Sequence, residues 1–258
     1  MTILLAASLI PPLFLLWKVY QSDKIEKEPP KLLLIIFVLG MISAIPAGIL
    51  EVIGGTVLTM LFPAGFAETA AGSMLFNFIY FLIVVGGSEE LVKFLAMRIP
   101  TWRNRNFNYV FDGVVYGVTS ALGFAALENV MYVLDTGLTT AGIRAWTAIP
   151  LHCIAGIFMG HYYGIAKAAE RWSDSRDRNP SLRGKAKNKF LRRSILVPMV
   201  IHGLYDFIAT GQNMLFLALF FVYIIIVDIF AYNSLKQYSR NDISLETGTP
   251  GPQNWEES

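Results

Sequence analysis

Residues 74–97 read MLFNFIYFLIVVGGSEELVKFLAM, a long apolar run that ends in a group of charged residues. From residue 69 to residue 88 the chain contains no Asp, Glu, Lys or Arg. That is close to the length of about 20 residues needed to cross a hydrocarbon core of about 30 Å. The stretch therefore predicts a transmembrane helix, with Glu89, Glu90 and Lys93 inside it.

The rest of the chain has the same character. Apolar residues make up 54% of the sequence and charged residues 16%, which excludes an ordinary soluble protein. We predict an all-α, polytopic membrane protein of about seven transmembrane helices, with a single domain over residues 1–240. The predicted helices cover residues 2–20, 32–53, 74–97, 109–133, 145–168, 194–211 and 213–233.

Positive charge is distributed unevenly between the predicted loops. With the N-terminus outside, every Lys and Arg except Arg144 lies toward the cytoplasm, as the positive-inside rule requires. The segment 167–193 carries ten of them. We interpret it as a topology determinant with some affinity for anionic lipid, not as a nucleic-acid site.

Two further patterns concern packing and the C-terminus. Glycines at 113 and 117, and at 156, 160 and 164, recur every four residues, a spacing that lets membrane helices approach closely. Residues 245–258 are polar and rich in helix breakers, so we predict a disordered cytoplasmic tail over 241–258.

Ionisable residues are unusually frequent inside the predicted helices. A charge at a helix centre costs about 2.5–3.5 kcal/mol on insertion scales, so such residues normally face other polar groups or water. One such residue alone could serve as an interhelical hydrogen bond, but the whole set together indicates a functional site. The set comprises Glu89, Glu90, Lys93, Asp112, Glu128, His152, His161, His202 and Asp206.

Helical spacing predicts which of these residues meet. Glu89 and Lys93 are four apart and can pair, whereas the adjacent Glu90 points about 100° away, so the two carboxylates should not serve one partner identically. His202 and Asp206 are also four apart, so the carboxylate can hold one ring nitrogen while the other faces a cavity.

Some polar residues have a simpler interpretation. Either His161 or Asp112 could be a purely structural hydrogen-bonding group. Glu51 and Asp228 are isolated near the ends of their predicted helices, and we interpret both as interfacial or structural.

Four motifs occur in order on separate predicted helices: Glu89-Glu90-x-x-Lys93, Phe124-x-x-x-Glu128-Asn129, His152, and His202-x-x-x-Asp206. Together they resemble the PrsW family of membrane proteases, which degrade anti-sigma factors. That family is in turn similar to the CAAX prenyl endopeptidases and bacteriocin-immunity proteases. Those relatives have a histidine where this sequence has Glu128, and the difference favours PrsW.

The resemblance implies that Glu89 and Glu90 are catalytic and that Glu128, His152 and His202 line the same cavity. We predict Glu89, Glu90, Glu128 and His202 as the catalytic residues. Lys93, Asn129, His152 and Asp206 are predicted to support them. The resemblance also implies a membrane-anchored protein substrate, such as an anti-sigma factor.

Two mechanisms remain open from the residues. Either Glu89 activates water directly, or glutamates and histidines hold a divalent metal such as zinc that does so. The sequence has no HExxH motif, and its only cysteine, Cys153, excludes a disulfide or a cysteine-based zinc site.

Depth argues against one detail of this site. At about 1.5 Å per residue, Glu89 lies about 20 Å, and Glu128 only about 8 Å, from the predicted outer ends of their helices. On that count the two carboxylates would not meet.

Two other functions fit buried charges as well. A proton-coupled transporter would use the same residue types, but the sequence has no inverted repeat or paired broken helices. A non-catalytic scaffold could bind transmembrane helices through the same polar groove.

Overall fold

A computed structural model describes residues 2–63, 65–176 and 180–249. These residues form helices and no extended strand, which confirms the all-α prediction. A π-helical segment covers Tyr80–Val85, and a short 3₁₀ turn covers Phe66–Glu68. The α-helices are α1 (Thr2–Ser22), α2 (Pro30–Leu61), α3 (Ala70–Ile79), α4 (Gly86–Thr101), α5 (Val110–Thr136), α6 (Leu138–Trp146), α7 (Ala148–Arg176), α8 (Pro180–Ala209) and α9 (Met214–Arg240).

Within these described ranges, six helical stretches are long and apolar enough to cross a membrane. They are Thr2–Ser22, Pro30–Leu61, Ala70–Thr101, Val110–Thr136, Leu138–Arg171 and Met214–Arg240. The seventh predicted span, 194–211, lies almost entirely in the C-terminal half of α8, behind a basic N-terminal half. The protein is therefore a polytopic helical membrane protein.

Helix α5 is the centre of the bundle. It packs against α1, α2, α4, α6 and α7, and most of its residues are buried. Helix α9 lies at the periphery and exposes large apolar side chains such as Leu215, Phe221 and Ile229, as expected of a helix that faces lipid.

The glycine pattern has the predicted effect. A Cβ on Gly113 or Gly117 of α5 would collide with the backbone of Gly160 or Gly156 on α7, and a Cβ on Gly164 with Val110. The two helices thus touch backbone to backbone, which fixes α7 and its histidines against the central helix.

Several helices extend beyond the predicted boundaries. The helix predicted at 145–168 continues to Arg176, and the one predicted at 194–211 begins at Pro180. Hydropathy detects only the lipid-facing part of a helix, whereas Lys, Arg and Ala continue it into water because they favour helix. Residues 177–179, within the predicted loop, lie outside the described residues.

Part of the predicted tail packs on the bundle. The backbone N–H of Val110 donates to Ile243 O at 3.0 Å and that of Leu245 to Asn108 O at 2.7 Å. Leu245 is buried in the same core cluster as Phe107 and Tyr116. Residues 241–249 thus close the start of α5, and residues 250–258 of the predicted tail lie outside the described residues.

Buried carboxyl groups gather at this junction. Burial, with a smaller contribution from the charge of Asp23, raises the pKa of Glu28 to about 7. The 2.6 Å hydrogen bond that Tyr116 Oη donates to Glu28 lowers this pKa, but by less than burial raises it. Burial also raises the pKa of Asp242 to about 7 and that of Asp23 to about 6.

These shifts predict a pH dependence of stability. A carboxyl group whose pKa is raised by folding holds its proton more tightly in the folded state. The contribution of Glu28 to the free energy of unfolding is therefore fully present at a pH below its ordinary pKa of 4.5. This contribution is lost as the pH rises through about 7, the pKa in the folded state. We expect the melting temperature of the purified protein to fall over this range.

Glu28→Gln should flatten this profile, since glutamine can still accept the Tyr116 hydrogen bond but does not titrate. Glu68→Gln, at an exposed carboxylate, is the control. A melting temperature that is independent of pH in the wild type, or equally dependent in Glu28→Gln, would contradict the prediction.

Candidate functional site

The π-helical segment and the following glycine position the first acidic residues of α4 against α8. A Cβ on Gly86 would meet Met199 O at 2.9 Å, and one on Gly203 would meet Phe81 O at 2.8 Å. The two helices can therefore approach closely at the level of the paired glutamates. Single π-helical turns are frequent at functional sites, where they re-aim the residues that follow.

Lys93 is the centre of the buried charge cluster. Its Nζ atom donates to Glu89 Oε2 and to Glu90 Oε1, each at 2.8 Å, and to His152 Nδ1 at 3.0 Å. All four residues are buried. The predicted Glu89–Lys93 pair is confirmed, and the ammonium group compensates the charge of both carboxylates.

The prediction that the two glutamates diverge is only partly correct. Both carboxylates contact Lys93, because it follows Glu89 by four residues and Glu90 by three. Both spacings bring side chains together on the surface of an α-helix. Their surroundings nevertheless differ, since Glu89 lines a cavity whereas Glu90 is fully buried.

His152 connects this cluster to α5. Its Nε2 atom lies 2.9 Å from Glu128 Oε2, on the side of the ring opposite Lys93. Because Lys93 can only donate, Nδ1 accepts, and Nε2 carries the proton that bonds to Glu128. The ring is thus held between a carboxylate and the cluster.

His202 has the same arrangement on α8. Its Nδ1 atom lies 2.8 Å from Glu90 Oε1, and its Nε2 atom lies 3.3 Å from Asp206 Oδ2. The predicted pairing with Asp206 is therefore present, although Asp206 Oδ2 accepts no hydrogen bond within the described residues. The centroids of the two histidine rings are 4.9 Å apart, and each ring turns Nδ1 inward and Nε2 to a carboxylate.

The expectation that Glu89 and Glu128 lie too far apart in depth is wrong. Both line one cavity, and Lys93 and His152 link them through a chain of hydrogen bonds. From Ala70 to Glu89 is about 28 Å of helix at about 1.5 Å per residue, against about 12 Å from Glu128 to Thr136. The N-terminal end of α3 and the C-terminal end of α5 therefore do not lie at one level, so distance from a helix end does not give a common depth.

Glu128 and Asn129 are both held by Arg144 of α6. Arg144 Nη2 donates to Glu128 Oε2 at 2.7 Å, and Nε donates to Asn129 Oδ1 at 2.9 Å. The Asn129 amide in turn donates to Ser8 O of α1 at 3.1 Å. Sequence reasoning missed Arg144 as a site residue, although it was the one Lys or Arg predicted on the outer side.

A cavity of about 480 Å³ extends from the cluster toward the C-terminal end of α5. Glu89, His202 and Asp206 line its inner part, while Tyr132 and Asp135 line the part near the end of α5. Glu51 of α2, which the sequence analysis interprets as interfacial or structural, also lines it.

Two other candidates lie apart from this cluster. The His161 ring stacks on Tyr238 of α9 with the centroids 3.5 Å apart, in a second cavity near the end of α9. Asp112 accepts the backbone N–H groups of Asn108 and Tyr109, and so caps the start of α5.

The central cluster has the donors of a metal site. Glu89, Glu90, His152 and His202 each offer one ligand atom, and these atoms all lie within 4.8 Å of one another. In the described part of the chain this is the only such group of three or more. Glu90 Oε2 is buried and has no hydrogen-bond partner among those residues, and each histidine is backed by a carboxylate, as metal-binding imidazoles commonly are.

The set therefore fits a divalent ion with nitrogen and oxygen ligands, such as zinc. Lys93 donates hydrogen bonds to three of these four residues. It would have to release at least some of these contacts when an ion binds. His202 Nδ1, which donates to Glu90 here, would give up its proton, since metal ligation requires the free nitrogen.

Comparison with known proteins gives a consistent result. Residues 28–232 match the model of the family described as PrsW family intramembrane metalloprotease. The chain is 29% identical over 210 residues to Protease PrsW of Bacillus subtilis (strain 168), covering 81% of this chain and 84% of the relative. It is 28% identical over 240 residues to Protease PrsW of Oceanobacillus iheyensis, covering 93% and 98% of the two chains. No solved structure matches it significantly.

Proposed function

Because the chain belongs to the PrsW family of intramembrane proteases, we propose that it hydrolyses membrane-anchored proteins with Glu89 as the general base. The observation that carries the assignment of residues is the meeting of Glu89, Glu90, His152 and His202 at the inner end of a cavity. No serine or cysteine nucleophile in the described residues takes part in this cluster.

Glu89 is the base because its carboxylate both lines the cavity and belongs to the cluster. It takes a proton from a water molecule as the water oxygen bonds to the carbon of the scissile carbonyl group. The C–N bond then breaks, and the carboxyl group of Glu89 returns the proton to the leaving nitrogen. The products are a new carboxyl terminus and a new amino terminus.

Glu90, His152 and His202 would hold a divalent ion, leaving Glu89 free to act on water. When bound, the ion would supply a Lewis acid that polarises the carbonyl oxygen and increases the acidity of water. Glu128 and Asp206 orient the two histidines through Nε2, and Lys93 compensates the charge of the glutamates until the ion is loaded.

The cavity reaches the C-terminal end of α5, where the exposed residues Tyr132 and Asp135 line it. With the N-terminus outside, that end is the outer one, so the cleaved segment of the substrate enters from the outer half of the membrane. A protein with a single transmembrane anchor, such as an anti-sigma factor, can present such a segment.

The orientation gives a labelling prediction. In a Cys153→Ala background, Lys189→Cys should react with a membrane-impermeant maleimide only after the cells are permeabilised. Thr139→Cys, on the exposed side of α6, should react in intact cells. External labelling of residue 189 would reverse the orientation and the proposed entry side.

The proposed activity is tested with the full-length protein in proteoliposomes together with a model single-span substrate. We expect two fragments from one cut in or near the outer end of the substrate span, and mass spectrometry identifies the bond. Intact substrate, with the protein correctly folded and inserted, would contradict proteolysis of such substrates.

A further inference from the structure

We propose that Arg144 is a positioning residue, which acts through Glu128 to hold His152 in its productive orientation. The inference rests on the proposed function of the cluster and assigns a role to α6.

The contacts of Arg144 are unusually specific for a residue near a helix end. Its guanidinium group bonds Glu128 at 2.7 Å and Asn129 at 2.9 Å, and lies 4.3 Å from the centroid of the Tyr132 ring. Its side chain is only 13% exposed. A planar guanidinium group can make these contacts together, because its donors have a fixed fork geometry and its face can stack on an aromatic ring.

The contact with Glu128 connects Arg144 to the cluster. The same oxygen, Glu128 Oε2, accepts from Arg144 Nη2 and lies 2.9 Å from His152 Nε2. Glu128 also lines the cavity, so its carboxylate has water-accessible space into which it could turn. Arg144 keeps it turned to the imidazole instead.

The two histidines differ in this respect. No Lys or Arg side chain of the described residues forms an ion pair with Asp206, the carboxylate behind His202, whereas Glu128 has Arg144. Asn129 also bonds Ser8 O on α1, so the support extends through α6, α5 and α1. We therefore expect the His152 side of the site to depend on α6.

Loss of Arg144 should weaken metal binding and slow cleavage without unfolding the protein. Arg144→Ala should bind Zn²⁺ about 10–100-fold more weakly in competition with a chelating dye, the range typical of a lost partner behind a metal-binding histidine. It should lower kcat more than it raises KM. Methylguanidinium, which has the donor group that the substitution removes, should restore part of the rate.

Conservative and control variants separate positioning from folding. Arg144→Lys keeps the charge but cannot bond Glu128 and Asn129 with a fork, so it should fall between the wild type and Arg144→Ala. Ile143→Ala, at an exposed neighbour on α6, should match the wild type. In a Glu128→Gln background, Arg144→Ala should add little, because both act through one contact.

Wild-type Zn²⁺ affinity and kcat in Arg144→Ala would overturn the proposal. So would effects that add fully to those of Glu128→Gln, or a loss that follows the melting temperature and is not rescued by methylguanidinium. If Arg144→Ala does not fold, Arg144→Lys is judged by the same measurements. Failure of the proposed function is distinct, since the wild-type protein itself would then neither bind Zn²⁺ nor cleave.

Discussion

Glu89→Gln should leave the protein folded and inserted but lower the rate of cleavage by about 10²- to 10⁴-fold, the usual contribution of a general base. Glutamine keeps the size of glutamate and can still accept the Lys93 hydrogen bond, but it cannot take a proton from water at neutral pH. The measurement is single-turnover cleavage of the model single-span substrate in proteoliposomes, with melting temperature as the test of folding.

Two further substitutions make the result specific. Glu68→Gln, at an exposed carboxylate near the start of α3, should cleave at the wild-type rate. Glu90→Gln should also lose activity, but through the buried donor set, and so should lose bound metal as well. Wild-type rates in both Glu89→Gln and Glu90→Gln would remove the paired glutamates from the mechanism and favour a scaffold or a transporter.

The parts of the site that could be predicted from sequence are those within one helix. Glu89 with Lys93 and His202 with Asp206 are each four residues apart, and a single α-helical turn brings such residues together whatever the rest of the fold does. The same regularity explains why the glycines on α5 and α7 could be identified as a packing surface.

Contacts between helices are harder to predict, because they depend on the position of each helix along the axis of the bundle. Glu128 and His152 meet on different helices, and the depth estimate failed because helix ends lie at different levels. Arg144 was treated only as an exception to the charge rule. An arginine near a helix end is normally solvated, and only the folded α6 places it over Glu128, Asn129 and Tyr132.

The burial of residues 241–249, which follow α9, likewise could not be predicted from amino-acid composition. Residues 241–249 are polar overall, yet Asp242 accepts the backbone N–H of Phe111 at 2.8 Å, and Leu245 fills a core position. A few backbone hydrogen bonds and one apolar side chain are enough to dock a short segment, and neither leaves a periodic pattern.

His202→Ala should lose both bound metal and activity, because it removes one of the inward-facing nitrogens of the donor set. Asp206→Asn should keep the ring but weaken its orientation, lowering metal affinity by about 10–100-fold. The measurements are metal content of the purified protein by inductively coupled plasma mass spectrometry, competition with a chelating dye, and cleavage of the model substrate with and without chelator.

His161→Ala is the matched histidine control, since its ring stacks on Tyr238 away from the cluster and should affect neither metal nor cleavage. Stoichiometric metal in active wild-type protein, lost in His202→Ala, would establish the metal-dependent mechanism. Full wild-type activity with no detectable metal and no inhibition by chelators would overturn it. Glu89 would then activate water unaided and His202 would donate a proton or stabilise the oxyanion, and its removal would lower the rate by about 10²- to 10⁴-fold.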